Sequence, residues 1–272
     1  MNYRHAYHAG NFADCMKHAL LVWLLRALAR KPAAFRVLDT HAGIGRYDLG
    51  GEEAQRTGEW REGIGRLQGV TDGPLADYVA LASESGSYPG SPAIAAALLR
   101  EQDRLALVEL HEEDHATLRA LFRRDHRVAV HRRDAFESLR ALTPFPEKRG
   151  LVLMDPPFEQ PGEYERLTAG IAEVGRRARG LVQAAWYPIK GRAPVRAFHT
   201  ALTESGVKDI LAAELHLREP IDAARLNGCG LAVVNAPYGF EEAVRAILSE
   251  LADLLATGEA GGGWTLTRIA DE

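Results

Sequence analysis

"FRVLDTHAGIG", Phe35 to Gly45, is the stretch that decides the fold. A short apolar run ends in an acid and breaks at once into a turn carrying Gly43 and Gly45. This is the pattern of a buried strand that delivers its carboxyl end to a ligand, since glycine lets backbone approach a bound group closely. Taken alone the turn is a weak signal. The fingerprint G-x-G-x-x-G is not completed, because Asp48 stands where the third glycine belongs and Gly50 comes late. G-x-x-x-x-G-K-[ST] is absent, which excludes a P-loop.

Outward from that turn, strand and helix patterns alternate. The apolar runs predict strands at 105–110, 127–134, 150–155, 180–189, 208–217 and 229–237. Helical spacing predicts helices at 14–30, with Asn11 and Asp14 as candidate caps, and at 92–102, 113–123, 164–178, 193–204 and 240–256. Strands separated by helices argue an α/β chain with a doubly wound, mostly parallel sheet, a Rossmann-like arrangement that binds ligands at the carboxyl ends of its strands. From 48 to 88 no strand appears and glycines break the helical fragments, so this interval is read as a helical insertion within a single domain spanning 1–272. After it, Ser91 is expected to cap the next helix, with Pro92 in its first position. "GEAGGG" near the C-terminus reads as a turn.

Composition narrows the function classes. With 272 residues and 46% hydrophobic content the chain can bury a full core. Its net charge of -4 gives no global basic field, so a nucleic-acid partner has to be held by a local patch. Cys15 and Cys229 stand apart without C-x-x-C spacing, which fits a reducing compartment. No apolar run reaches membrane-spanning length and no signal peptide is recognisable, so the expected location is cytoplasmic.

Three acids follow three successive strand candidates. Glu109 can accept both ribose hydroxyls of an adenosyl group. Its distance from the glycine turn exceeds the usual twenty or so residues, and the insertion accounts for the excess. Asp134 can accept an adenine amino group, although singly either acid is more often a helix cap or a solvated residue. The third, Asp155, opens "DPPF", Asp155 to Phe158, directly behind the apolar run "LVLM". An exocyclic amine on an aromatic ring is a poor nucleophile because its lone pair is delocalised. A carboxylate and the carbonyl of Pro156, accepting its two N–H bonds, favour the pyramidal amine and stabilise the charge that develops on nitrogen. The prolines fix the backbone and Phe158 offers a ring for the base to stack on. The following "EQPGE", 159–163, is polar and is read as a mobile loop.

With those motifs in hand, the chain resembles the S-adenosylmethionine-dependent N6-adenine methyltransferases, and within them the bacterial 23S ribosomal RNA adenine-N6 methyltransferase J family. The resemblance spans nearly the whole chain through "YRHAYHAGNFADCMKH", "LDTHAGIGRYDLG", "RTGEWREGI", "YPGSPAIAAALLREQD", "ELHEED", "LMDPPFE" and "AAWYPI". It implies that His18 and His41 line the methionine end of the cofactor and that Ser91 meets it. It further implies that Glu109 holds the ribose, that Asp134 and Ala135 face the adenine, and that Gly43 shapes the turn. Asp155 acts on the target amine, with Tyr3 and Phe158 near the incoming nucleotide. Ala135 stands where the family has glycine and Phe158 where tyrosine is common. Ala135 is tolerated if its contact is through backbone, and Phe158 keeps the ring. The implied partner is 23S ribosomal RNA, and a monomer is expected.

Other patterns compete. "HEEDH", 111–115, formally matches a zinc-protease helix, but His111 follows a strand directly and the three acids read as a helix's first turn, so no metal is expected. His5, His8, His18 and His41 lack partner ligands at metal-site spacing and read as pocket lining. Basic clusters at Arg123, Arg124, Arg127, Arg132 and Arg133, at Arg176, Arg177 and Arg179, and at Arg56, Arg61 and Arg66 are each either solvated faces or phosphate contacts. A DNA adenine methyltransferase would share the core but is expected to carry a larger recognition region than 48–88. A non-catalytic RNA-binding module would leave Asp155 to Phe158 without a task.

Overall fold

The structure, a computed structural model, describes residues 4–83 and 86–271. The chain enters α1 (Phe12–Ala29) behind Asn11, whose side-chain oxygen accepts the Asp14 backbone N–H at 3.0 Å. β1 (Arg36–Asp39) runs into the glycine turn, after which β2 (Arg46–Tyr47) and, later, β3 (Tyr88–Pro89) pair as a two-residue antiparallel ribbon. Between them lie α2 (Glu52–Thr57), two short 3-10 turns and α3 (Ala76–Ser83). Strict alternation then begins with α4 (Ser91–Leu98), β4 (Arg104–Val108), α5 (Glu112–Leu121), β5 (Val128–His131), α6 (Ala135–Leu142) and β6 (Gly150–Met154). It continues through α7 (Glu163–Arg177), β7 (Val182–Ile189), α8 (Arg192–Glu204) and β8 (Ile210–His216), and breaks where β9 (Gly228–Val234) follows β8 directly, before α9 (Phe240–Leu254) and β10 (Gly263–Ala270).

The main sheet has the order β10-β8-β9-β7-β6-β1-β4-β5. Its β5, β4, β1, β6 and β7 are mutually parallel, each reached through a helical crossover. β9 runs against both β7 and β8, and β10 against β8. The reversal has a local cause: residues 217–227 join β8 to β9 without a helix, so only an antiparallel neighbour is within reach. β10 was not among the expected strands. It is an edge strand with half-buried Trp264 and Leu266 interrupted by exposed Thr265, Thr267 and Arg268, so no continuous apolar run marks it.

Both faces of the sheet are covered, which is why the interiors of its central strands are runs of apolar residues, as in β6 (GLVLM) and the middle of β1 and β4. Val37, Leu151 and Leu153 point to the side packed by α1, α4 and α9, while Leu38, Val152 and Met154 point to the side packed by α6, α7 and α8. The strand order turns at β1, whose neighbours β4 and β6 lead to opposite edges, and a crevice opens there outside the carboxyl ends. One local expectation is corrected. Gly90, not Ser91, occupies the cap of α4, and Ser91 is already helical with its hydroxyl donated to Asp39 at 2.7 Å. The same helix stops at Leu98 rather than near 102 because the chain must turn to let buried Asp103 accept the Phe35 and Arg100 backbone N–H groups.

Candidate active site

Every expected site residue except Tyr3, which lies outside the described residues, lines one cavity of about 860 Å³ at the carboxyl ends of the strands. On one wall the acids are held by backbone. Glu109 accepts the Gly43 N–H at 2.9 Å on one oxygen and the His111 N–H at 2.8 Å on the other. Gly43 sits at φ +60°, a left-handed conformation that favours glycine, and an added Cβ would meet the Tyr47 hydroxyl at 2.4 Å. Burial raises the Glu109 pKa against the pull of those N–H groups. Asp134 caps α6, with Oδ1 accepting from Phe136 and Glu137 N–H at 2.9 and 3.0 Å and Oδ2 facing Arg166 at 3.4 Å. It is a helix cap and a cavity residue at once. Ala135, the first residue of α6, presents its backbone beside it.

The opposite wall is built from α1. Lys17, 4% exposed, places its ammonium 2.5 Å from Asp155 Oδ2 and 2.8 Å from Asp14 Oδ1. Asp14 also takes His5 Nε2 at 2.9 Å and the Gly10 N–H at 2.9 Å. Despite burial, the neighbouring cations hold the Asp14 carboxyl well below its usual range, and the two carboxylates hold Lys17 protonated. Asp39 ends β1 between the two walls, bonded to Ser91 and to the His41 N–H at 3.2 Å, and burial lifts its pKa to about 6.

His18 and His41 are kept neutral. Burial lowers their pKa values to about 3 and about 4. His18 Nδ1 meets the Tyr88 hydroxyl at 2.8 Å, and His41 Nδ1 accepts the Asp155 N–H at 3.3 Å, tying the glycine turn to the "DPPF" segment. Phe158 adopts φ +52°, rare for an aromatic residue and worth about 1–3 kcal/mol of strain. Its ring packs edge-on against Tyr164 at 4.8 Å and Trp186 at 5.9 Å, and the Tyr164 hydroxyl donates to the Pro188 carbonyl at 2.7 Å.

A cavity that pairs a backbone-held acid with a glycine turn on one side, and a cluster of carboxylates around Lys17 on the other, suits an adenosyl group bearing positive charge. Comparison with known proteins agrees. Residues 32–270 match the family model described as Ribosomal RNA large subunit methyltransferase D, RlmJ. The chain belongs to this family. Ribosomal RNA large subunit methyltransferase J of Escherichia coli K12 is 40% identical over 275 residues, covering 97% of this chain and 98% of that protein. Its namesake in Haemophilus influenzae is 39% identical over the full length of both. A solved Legionella pneumophila structure superposes with a TM-score of 0.86 at 32% identity, covering 96% of this chain and 98% of that one. A probable spermidine synthase from Corynebacterium glutamicum, 14% identical with a TM-score of 0.52, shares the fold over 97% of this chain and 77% of its own.

Two of the stretches that carry the family resemblance turn out to be each other's partners. Glu59 of "RTGEWREGI" receives His8 Nδ1 at 2.9 Å and Asn11 Nδ2 at 3.0 Å, the Ile64 N–H donates to the Gly10 carbonyl at 2.8 Å, and Thr57 bonds the Tyr7 carbonyl. At Gly63 even a methyl group would lie 2.1 Å from the Gly10 carbonyl oxygen. The 48–88 interval therefore grips the segment that leads into α1. "HEEDH" is resolved as local structure: His111 caps α5, and Glu112, Glu113 and Asp114 form its first turn. Among the described residues no group of His, Cys, Asp or Glu is arranged to hold a metal.

The basic clusters separate as well. Arg127 is spent on Asp125 and the Leu99 carbonyl, Arg132 on Glu112, Arg176 and Arg177 on Glu173, and Arg66 on Glu62 and the Ala256 carbonyl. Arg133, Arg166 and Lys190 instead line the cavity. Sequence reasoning missed Lys17, Asp14 and Asp39. The available signal was Lys17 itself, a lone amine inside the apolar stretch of α1 with an acid three residues before it.

Proposed function

We propose that the protein transfers a methyl group from S-adenosylmethionine to N6 of one adenine in 23S ribosomal RNA. The observation that carries the reading is that "DPPF" leaves β6 into the same cavity that Gly43 and Glu109 line, with Asp155 tethered to a buried lysine. The residues fit the cofactor. Glu109 has used one lone pair on each oxygen and retains another for a ribose hydroxyl. The neutral imidazoles of His18 and His41 do not repel a cation, and Asp14 lines the same cavity, with Asp39 bonded to Ser91 of its lining. When bound, S-adenosylmethionine supplies an electrophilic methyl group.

The chain's own residues then align and stabilise. Asp155 and the Pro156 carbonyl accept the two N6–H bonds, drawing the lone pair out of the ring and compensating positive charge as it grows on nitrogen. Phe158, braced by Tyr164 and Trp186, stacks on the base and fixes its approach. Lys17, 2.5 Å from Asp155 Oδ2, orients the carboxyl group before the amine arrives. An adenine within a helix is stacked and paired, so it must be flipped into the cavity. The segment gripped by the 48–88 interval belongs, in this reading, to the wall around that base.

Action as a monomer belongs to the same reading, and the ribosomal RNA substrate implies the cytoplasm. The test is to map N6-methyladenine in 23S ribosomal RNA from cells with and without the protein. One adenine losing its methyl group in the deletion, and regaining it with wild type but not Asp155→Ala, is the expected result. An unchanged map overturns the substrate assignment.

A further inference from the structure

The loop from 217 to 227 joins β8 to β9 on the face where β7 ends, since Gly228 pairs with both His216 and Ile189. Arg218, Ala224 and Arg225 line the same cavity as Asp155. The loop is locked. Asn227, fully buried, donates from its amide to the Lys190 carbonyl at 3.0 Å and the Asp222 carbonyl at 2.8 Å. Arg218 and Arg225 both clasp Glu259, and the Asp222 carboxylate accepts the Ala224 N–H at 2.9 Å. Its polar groups are thus spent inward, whereas Ile221 stands 84% exposed at the tip beside Pro220 and Ala223.

An isolated exposed isoleucine is ordinarily unremarked surface. Here it is carried on a rigid loop, at the rim of the cavity that must receive a flipped base, with Arg218 and Arg225 of the same loop braced on Glu259 beneath it. Flipping vacates a gap in the stack, and proteins that open base steps fill such gaps with an apolar wedge flanked by phosphate contacts. We propose that Ile221 is such a wedge: it occupies the space the target adenine leaves in the RNA helix, held in place by a loop whose own Arg218, Ala224 and Arg225 line the cavity. This rests on the function proposed above.

The test compares two RNAs in single-turnover methylation at saturating cofactor. One is the 23S ribosomal RNA stem that carries the mapped adenine. The other is the same strand without its complement, so that the adenine is already unpaired. Ile221→Ala is expected to slow methylation of the stem by about tenfold and of the single strand by less than about twofold, because only the first has stacking to break. Ile221→Leu should restore most of the lost rate. In the stem, 2-aminopurine at the target position should brighten with wild type and much less with Ile221→Ala. Equal slowing on both RNAs, or on neither, overturns the wedge while leaving the methyltransferase reading intact. So does a self-association that Ile221→Ala abolishes without touching either rate, since the tip would then be a contact between copies of the chain. Failure of the wild type to methylate either RNA overturns the function reading, and the wedge with it.

Discussion

Glu109 and Asp155 are both carboxylates set just past the ends of parallel strands, and both face one cavity, yet they are held by different means. Glu109 is fixed by backbone, with each oxygen on an N–H whose position the glycine turn and the start of α5 dictate. Asp155 is fixed by a side chain, the buried Lys17, which Asp14 and ultimately His5 hold in turn. Backbone donors suit a contact that stays the same throughout a reaction. A charged side-chain partner suits a carboxylate that must respond as charge appears on a substrate nitrogen, because the pair's field is preorganised and water is kept out.

That contrast can be broken first at Lys17. Lys17→Met leaves Asp14 and Asp155 as neighbouring buried acids without their shared cation, and should cost about 3–5 kcal/mol of unfolding free energy. Urea denaturation at neutral pH measures it; a cost below about 1 kcal/mol would mean the pair is merely a surface-like contact. Asp155→Asn keeps an acceptor oxygen but loses the charge, and its single-turnover rate should fall by about 10²–10³ while cofactor binding stays near normal. A wild-type rate would remove Asp155 from the chemistry.

The backbone-held acid should behave the opposite way. Glu109→Ala is expected to weaken S-adenosylmethionine binding by roughly 2–4 kcal/mol, with little change in rate once cofactor saturates. Calorimetry that finds unchanged affinity would end the ribose assignment. The smallest effect is expected at Phe158. Phe158→Leu removes a stacking face worth about 1–3 kcal/mol and should raise the KM for RNA more than it lowers the saturated rate. The reverse split would show the ring acting in the transition state rather than on the bound base.

The legibility of the site in the sequence follows the same division. Acids behind strands are readable because a strand is an apolar run and its end is a fixed place in a parallel sheet, so Glu109, Asp134 and Asp155 could be set on one edge before any coordinates. Residues that act by reaching across the fold were not readable. Lys17 and Asp155 are far apart in sequence, and nothing local in "DCMKHALL" says that the amine crosses to β6 rather than snorkelling to solvent. Asp39 and Ser91 are likewise joined only because the 48–88 interval is closed by the β2–β3 ribbon, which returns the chain beside β1.

By itself, then, the sequence determined the alternation of strands and helices and the placing of the glycine turn, Glu109, Asp134 and "DPPF" at the carboxyl ends of strands, because each depends on residues close together in the chain: apolar periodicity, glycine turns and an acid followed by prolines. Only the tertiary structure decided which charges are paired, which arginines are already spent, how "RTGEWREGI" grips the start of α1, and that the β8–β9 loop comes to the cavity rim with Ile221 exposed. Those outcomes depend on burial and on contacts between distant segments, and a charge's partner is settled by which low-dielectric space it shares, not by its neighbours in the chain.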